Sequence, residues 1–318
     1  MKSVAIAALG NPAAVAVKLA ALRRSGRLTV LNLHRVGPDE GSTYPPLSAE
    51  LFEELLKFVT KKFDVVTFRT AASHPGRRPK LILSFDDGYA DFFETAMPLM
   101  QKYGVRANLN VIPECVEEGR PPFNVELEDL LGKAPMSVLA RLAIPALPID
   151  LDQPRRIIGP RASNHVRNLT KSAQVAIRDV VDAQVGDVLP AYASRMMSRA
   201  QVIEAAKTHE IGAHSYGHAS LALEDADFLR QDIARCRDYF ETQLGLPMTI
   251  YAVPNGSYRP EQLRLLADEG VTDILLVDER FSTTGAPVQR RFTFHAYSRT
   301  EVIYRAVGAY RWPTRSTN

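Results

Sequence analysis

Cysteine is scarce in this chain of 318 residues, which contains only Cys115 and Cys236. Two thiols exclude a disulfide framework and a zinc module built from four thiolates, and both read as ordinary buried thiols. Charge of one sign is equally short: 39 Lys and Arg stand against 36 Asp and Glu, a net +3. That balance is too weak for a dedicated nucleic-acid binder or a strongly basic membrane-surface protein. Apolar runs of about 18 residues, the length a membrane-spanning helix needs, do not occur. No G-x-G-x-x-G follows an early strand and no Walker A loop is present, so a nucleotide-binding doubly wound sheet loses its usual support. Internal repeats and low-complexity tracts are also missing. What is there is ordinary for a soluble globular protein: 46% apolar and 24% charged residues. The length allows one large domain or two small ones.

The N-terminus carries an apolar stretch over residues 4–17, broken by Asn11-Pro12 and ended by Lys18. A signal peptide has this general look. Against it stand a single leading lysine, Lys2, and no small-x-small site before Arg23-Arg24. Residues 1–25 are therefore read as an apolar and basic helix on a cytoplasmic or membrane-peripheral protein. Export through this segment is the alternative.

From residue 26 to 318, short β-branched or aromatic runs alternate with helical periodicity. Strands are expected at 28–34, 64–68, 81–85, 107–112, 210–214, 249–253, 274–277 and 291–296. Helices are expected between them. Ser48 and Ser198 are N-cap residues, Pro260 suits a first turn, and Gly104, Gly245 and Gly270 are stops. Such alternation with apolar strands means a parallel sheet, here expected to close as a barrel. Residues 119–195, rich in Pro and Arg and including Pro121, Pro122, Pro145, Pro148, Pro154 and Pro160, break the rhythm. They read as an insertion between barrel units without a core of its own, either shaping the mouth or covering the barrel side.

Two strand ends carry the chemistry. The run Leu81-Ile82-Leu83-Ser84-Phe85-Asp86-Asp87-Gly88 ends in adjacent carboxylates, which repel and are costly to desolvate unless a cation or proton lies between them. The run Glu210-Ile211-Gly212-Ala213-His214-Ser215-Tyr216-Gly217-His218 ends in two imidazoles four residues apart. In a βα fold these ends open on one face. Two imidazoles with one carboxylate make an open-sided site for zinc, cobalt, nickel or iron.

These residues resemble the polysaccharide deacetylase (NodB-homology) family of carbohydrate esterases. Ser84-Phe85-Asp86-Asp87-Gly88 is similar to its first motif, and His214-Ser215-Tyr216-Gly217-His218 to its second. Tyr251-Ala252-Val253-Pro254-Asn255-Gly256 resembles a form of the third, and Leu31-Asn32-Leu33-His34-Arg35-Val36 the opening of one branch. The resemblance spans about residues 27–308. It implies a distorted (β/α)7-type barrel with the 119–195 insertion between early and middle units. It also implies a divalent metal on Asp87, His214 and His218, zinc first and cobalt, nickel or iron as alternatives. Asp86 would be the general base, acting on acetylated glycan or polysaccharide.

The sequence departs from the family pattern in two places. The third-motif arginine that orients the base is replaced by Ala252, so Arg291, or alternatively Arg290, is expected to supply that charge from the last strand. The usual general-acid motifs are not recognisable either, which leaves His295 or His34 for that role and the backbone N–H of Asn255 as oxyanion donor. His209 and His165 read as loop residues. The expected function is removal of acetyl groups, N-acetyl first, from a glycan. A non-catalytic carbohydrate-binding relative and a metal hydrolase of a small non-sugar amide are the alternatives. No nucleic-acid partner is expected, and peripheral membrane attachment through residues 1–25 stays open.

Overall fold

Seven parallel strands close on themselves in the computed structural model, which describes residues 11–144 and 146–314. Pro145 and the apolar stretch before residue 11 lie outside the described residues. The strands are β1 (Arg27–Leu33), β2 (Asp64–Val65), β3 (Lys80–Phe85), β4 (Asn108–Val111), β5 (Glu210–Ala213), β6 (Ile250–Ala252), β7 (Asp273–Val277), β8 (Ser282–Thr283) and β9 (Val288–Thr293). The ring runs β1-β3-β4-β5-β6-β7-β9 and returns to β1, where Leu31 lies opposite Phe292. Thr29 to Leu33 pair with Leu81 to Phe85 in unbroken register. Short β2 adds to β3, and β8 pairs antiparallel with the start of β1. Parallel pairing throughout the ring sends every strand's C-terminal end to the same rim. The expected closed barrel is therefore the observed one.

Helices cover the outside because their apolar stripes need a partner. Ser48 caps Ala49–Lys62, whose Phe52, Leu55, Leu56 and Val59 are all buried against the strands. Phe85 joins this layer by edge-to-face contacts with Phe52 at 5.8 Å and Phe92 at 5.0 Å. The N-terminal helix, Pro12–Ser25, starts on the Asn11 side chain and stops at Gly26. Its Leu22 is buried and its Lys18 ammonium donates to the Ala309 carbonyl. Among the described residues no helix is long and apolar enough to cross a membrane.

Three local expectations differ from the structure. The strand expected over 64–68 stops at Val65, because Thr67 starts the Phe68–Ala71 helix and the Glu210 carboxylate accepts the N–H groups of Phe68 and Arg69 at 2.9 and 2.8 Å. The last strand begins at Val288 and not at 291 and ends at Thr293; Gln289, before its expected start, is buried like Arg291. The helix after Asp91 opens as a wide turn, with Met97 N–H donating to Phe92 O. Pro98, which has no N–H to donate, follows directly.

Residues 119–195 do have a core of their own, contrary to expectation. Helices Phe123–Lys133, Arg155–Arg167 and Lys171–Val185 bury Leu127, Leu130, Ile158, Ala162, Val166 and Val181 together. Pro135 and Pro154 are not loop residues but sit at helix N-caps. The segment is tied to the barrel at several points. Ala90 N–H donates to Arg195 O and Met197 N–H to Gly88 O, both at 2.9 Å. On the other side Lys171 Nζ donates to Gly217 O at 2.8 Å, and Ser220 Oγ to Arg167 O at 2.6 Å.

His209, expected in a loop, is buried just before β5, where its Nδ1 accepts the Ala107 N–H at 3.1 Å. Burial, then the charge of Arg106, pushes its imidazole down to about 4. The folded state thus favours neutral His209, and its contribution is whole above the unfolded value near 6.5 and is lost as pH falls toward about 4. Urea unfolding should therefore show a pH-dependent loss on the order of 3 kcal/mol over that window that is missing in His209→Gln. Equal slopes in both proteins would remove this account.

Candidate active site

At the end of β3 the Asp86 N–H still donates to Leu33 O at 2.9 Å. The chain then turns sharply, Asp87 and Gly88 taking φ of 77° and 84°. Left-handed backbone costs a residue with a side chain roughly 1–2 kcal/mol. Ser215, His218 and Asn255 adopt it too, at 58°, 60° and 57°. These four residues lie on the loops that follow β3, β5 and β6. Strain persists only where surroundings over-determine it, and it collects at functional sites.

Asp86 is buried and accepts from Arg291 Nη1 at 2.7 Å and Asn110 Nδ2 at 2.8 Å. Arg291, 0% exposed, reaches it from β9, and the same nitrogen donates to Asn32 Oδ1 at 2.9 Å and Ser84 Oγ at 3.1 Å. Burial works to raise the Asp86 pKa, but the Arg291 charge overrides it and holds the carboxyl well below the usual carboxylate range. Arg290, the alternative, does not reach the site. Successive strand residues face opposite sides, and Arg290 instead pairs with Asp278 at the surface.

Asp87, His214 and His218 converge. One ligand atom from each lies within 4.8 Å of the others, and all three residues are buried. The His214 Nδ1 is 2.9 Å from the Ala252 carbonyl, which only accepts, so this nitrogen carries a proton, and the neutral form of the ring presents its Nε2 lone pair to the site. That lone pair faces Asp87 Oδ1 at 3.4 Å, with His218 Nε2 at 3.7 Å from the same oxygen. Burial pushes the His218 imidazole well below its ordinary value, which favours its neutral, ligating form. Asp87 Oδ1 is buried with no hydrogen-bond partner among the described residues. A neutral imidazole nitrogen facing a carboxylate oxygen is unfavourable unless a cation or a proton lies between them. Donors about 2.1 Å from a tetrahedral zinc stand about 3.4 Å apart. The donor set and its spacing therefore fit a divalent cation.

The general-acid candidates differ in position. His34 acts electrostatically on both Asp86 and His218. His295 has Arg305, Glu301 and His34 as its electrostatic neighbours and packs edge-on to Tyr297 at 4.7 Å. Burial lowers its pKa. Both line a pocket of about 260 Å³ with Tyr44 and Tyr297. Asn255 is exposed in the turn after β6, its Nδ2 donating to Ser220 Oγ at 3.0 Å. His165 lies in the Arg155–Arg167 helix of the insertion.

Several residues of the site escape motif reading. Ser84 Oγ donates to Asn108 Oδ1 at 2.7 Å, and Asn108 Nδ2 to Asn110 Oδ1 at 3.0 Å. Their signal was present: Asn108 and Asn110, or Gln289 and Arg291, are polar residues two apart in buried strands, which puts each pair on one face. Asp232 has no comparable signal, because it lies in a helix well outside the histidine motif.

The family model for polysaccharide deacetylases matches residues 158–274. That span holds both histidines, while Asp86 and Asp87 lie before it and reach the site through the fold. No curated protein matches the sequence. Among solved structures, the Streptococcus pyogenes deacetylase PplD in complex with acetate is similar at TM-score 0.58 and 16% identity, over 88% of this chain and 98% of that one. IcaB from Ammonifex degensii is similar at TM-score 0.55 and 18% identity, over 88% and 97%. BC0361, a polysaccharide deacetylase from Bacillus cereus, is similar at TM-score 0.57 and 13% identity, over 88% and 69%. At these identities the likeness is one of fold.

Removing one partner of a buried ion pair leaves the other uncompensated, which costs about 3–5 kcal/mol. Arg291→Met should lower the unfolding free energy by that amount near neutral pH, and Arg290→Met by less than about 0.5 kcal/mol. Because the Asp86 pKa is depressed on folding, the Arg291 effect should be whole well above about pH 4 and fade as pH falls below it. Equal losses in the two variants, measured by urea unfolding, would contradict this placement.

Proposed function

We propose that the chain is a member of the polysaccharide deacetylase family, whose model matches residues 158–274, and that it hydrolyses acetyl groups, N-acetyl first, from a glycan. The observation that carries the proposal is the buried Asp87 Oδ1, without a hydrogen-bond partner among the described residues and 3.4 and 3.7 Å from the Nε2 atoms of His214 and His218. Asp87, His214 and His218 would hold the cation, and zinc is proposed. Such an ion lowers the pKa of water toward about 7 and polarises a carbonyl.

The remaining roles fall to side chains of this chain. Asp86, kept ionised by Arg291, accepts the proton of the attacking water. A carboxylate clamped between Arg291 and Asn110 has little freedom to swing away. His34 gives a proton to the leaving amine, favoured over His295 by its electrostatic reach to Asp86 and His218. The Asn255 N–H is assigned to the developing oxyanion. Ala252 at the third-motif position argues for a non-catalytic relative only if no other arginine reaches the base, and Arg291 does. The insertion, bonded to the loops after both β3 and β5, is assigned the walls that select the glycan.

The test is acetate release from N-acetylglucosamine oligomers. Chelation should abolish it and zinc should restore it. Asp86→Asn should lower kcat by about 10²–10⁴-fold while the protein keeps its metal. Undiminished release after full chelation, or from Asp86→Asn, would refute the proposal.

A further inference from the structure

We infer that Asp232, on the Ala226–Asp238 helix, is the positioning residue that sets the loop bearing both histidines; this rests on the metal-site reading above. Asp232 is buried, and each of its carboxylate oxygens is used. Oδ1 accepts from Ser215 Oγ at 2.8 Å and from the Tyr216 N–H at 2.9 Å. Oδ2 accepts from Tyr251 Oη at 2.7 Å. Ser215 Oγ in turn accepts the Ala219 N–H at 3.1 Å, which closes the loop directly after His218. One carboxylate therefore fixes the residue after the first histidine and, through Ser215, the residue after the second.

That loop needs fixing. Ser215 and His218 both hold left-handed backbone at φ 58° and 60°, which a free loop would relax. Tyr251 belongs to β6, beside Ala252, whose carbonyl orients the His214 ring. Asp232 thereby ties the histidine loop to the same strand that sets the His214 tautomer. Partners outside the ligand shell typically tune metal affinity by 10–100-fold, and Asp232 reaches the ligands through Ser215 and Tyr216, which flank them in the chain. The carboxylate is buried behind the histidine loop, so its loss should act on the metal and on kcat and leave KM nearly unchanged.

The experiment uses the full chain in Asp232→Ala, Asp232→Asn and Tyr251→Phe forms. Zinc affinity is read by competition with a chromophoric chelator, and amide hydrogen exchange is read on the metal-free proteins. Asp232→Ala should weaken zinc binding 10–100-fold. Asp232→Asn should recover part of this, since its amide oxygen still accepts from Ser215 and Tyr216 while its NH2 faces the Tyr251 oxygen. Exchange should quicken at 215–219 and stay unchanged in β1 and β3. If Asp232→Ala does not fold, Asp232→Asn and Tyr251→Phe decide through the same two readouts. Unchanged zinc affinity with unchanged exchange at 215–219 overturns the inference, as does exchange quickened throughout the barrel. If wild type takes up no zinc, the metal-site reading fails, and the exchange pattern alone then judges the hold of Asp232 on the loop.

Discussion

One buried ion pair, Arg291 with Asp86, organises the interior of the barrel. Both residues are sealed from solvent at the rim where β1, β3, β4 and β9 meet. Taking a guanidinium and a carboxylate out of water costs several kcal/mol per ion, and apolar residues of similar volume often serve stability as well or better. The pair is therefore poor evidence for stability and good evidence for a required charge. Asn32 and Ser84 accept from Arg291 Nη1 and Asn110 donates to Asp86, while Arg291 Nε and Nη2 are buried without a partner among the described residues. A chain under pressure only to fold would have filled this space with aliphatic side chains.

The loops above the pair follow the same logic. Asp87, Ser215, His218 and Asn255 all accept left-handed backbone, and the Asp87 carboxylate stands 3.4 Å from His214 Nε2 with no hydrogen-bond partner on its Oδ1 among the described residues. Neither feature helps a fold that lacks a ligand at the rim. Both become sensible once a cation is held there, because the strained turns are what aim three donors at one point. The insertion reinforces this arrangement by bonding to the loop after Asp87 and to the loop before His218. Disturbing it should be felt at the metal site as well as in substrate choice.

Much of this was legible in the sequence. The barrel follows from alternating apolar strands and amphipathic helices, and the convergence of Asp87, His214 and His218 from carboxylates and imidazoles at strand ends. The guanidinium was narrowed to Arg290 or Arg291, and only the pleat decides between them, since neighbours on a strand face opposite ways. Harder to read were residues whose role depends on distant partners. The polar period of two in Asn108 and Asn110 marks an inward face, yet its target, Asp86, comes from another strand. The core of residues 119–195 was hidden because its apolar positions are spread over several separate helices, some of which begin after prolines, as at Pro122 and Pro154. Asp232 carries no motif at all; its meaning exists only once the helix packs beneath the histidine loop.

The central claim is that Asp87, His214 and His218 hold one divalent cation. Zinc-soaked crystals with data collected on both sides of the zinc edge test it directly. The account predicts a single strong anomalous peak within about 2.0–2.2 Å of Asp87 Oδ1 and both Nε2 atoms. No peak there under saturating zinc, or a peak held by other residues with these three turned away, would contradict it.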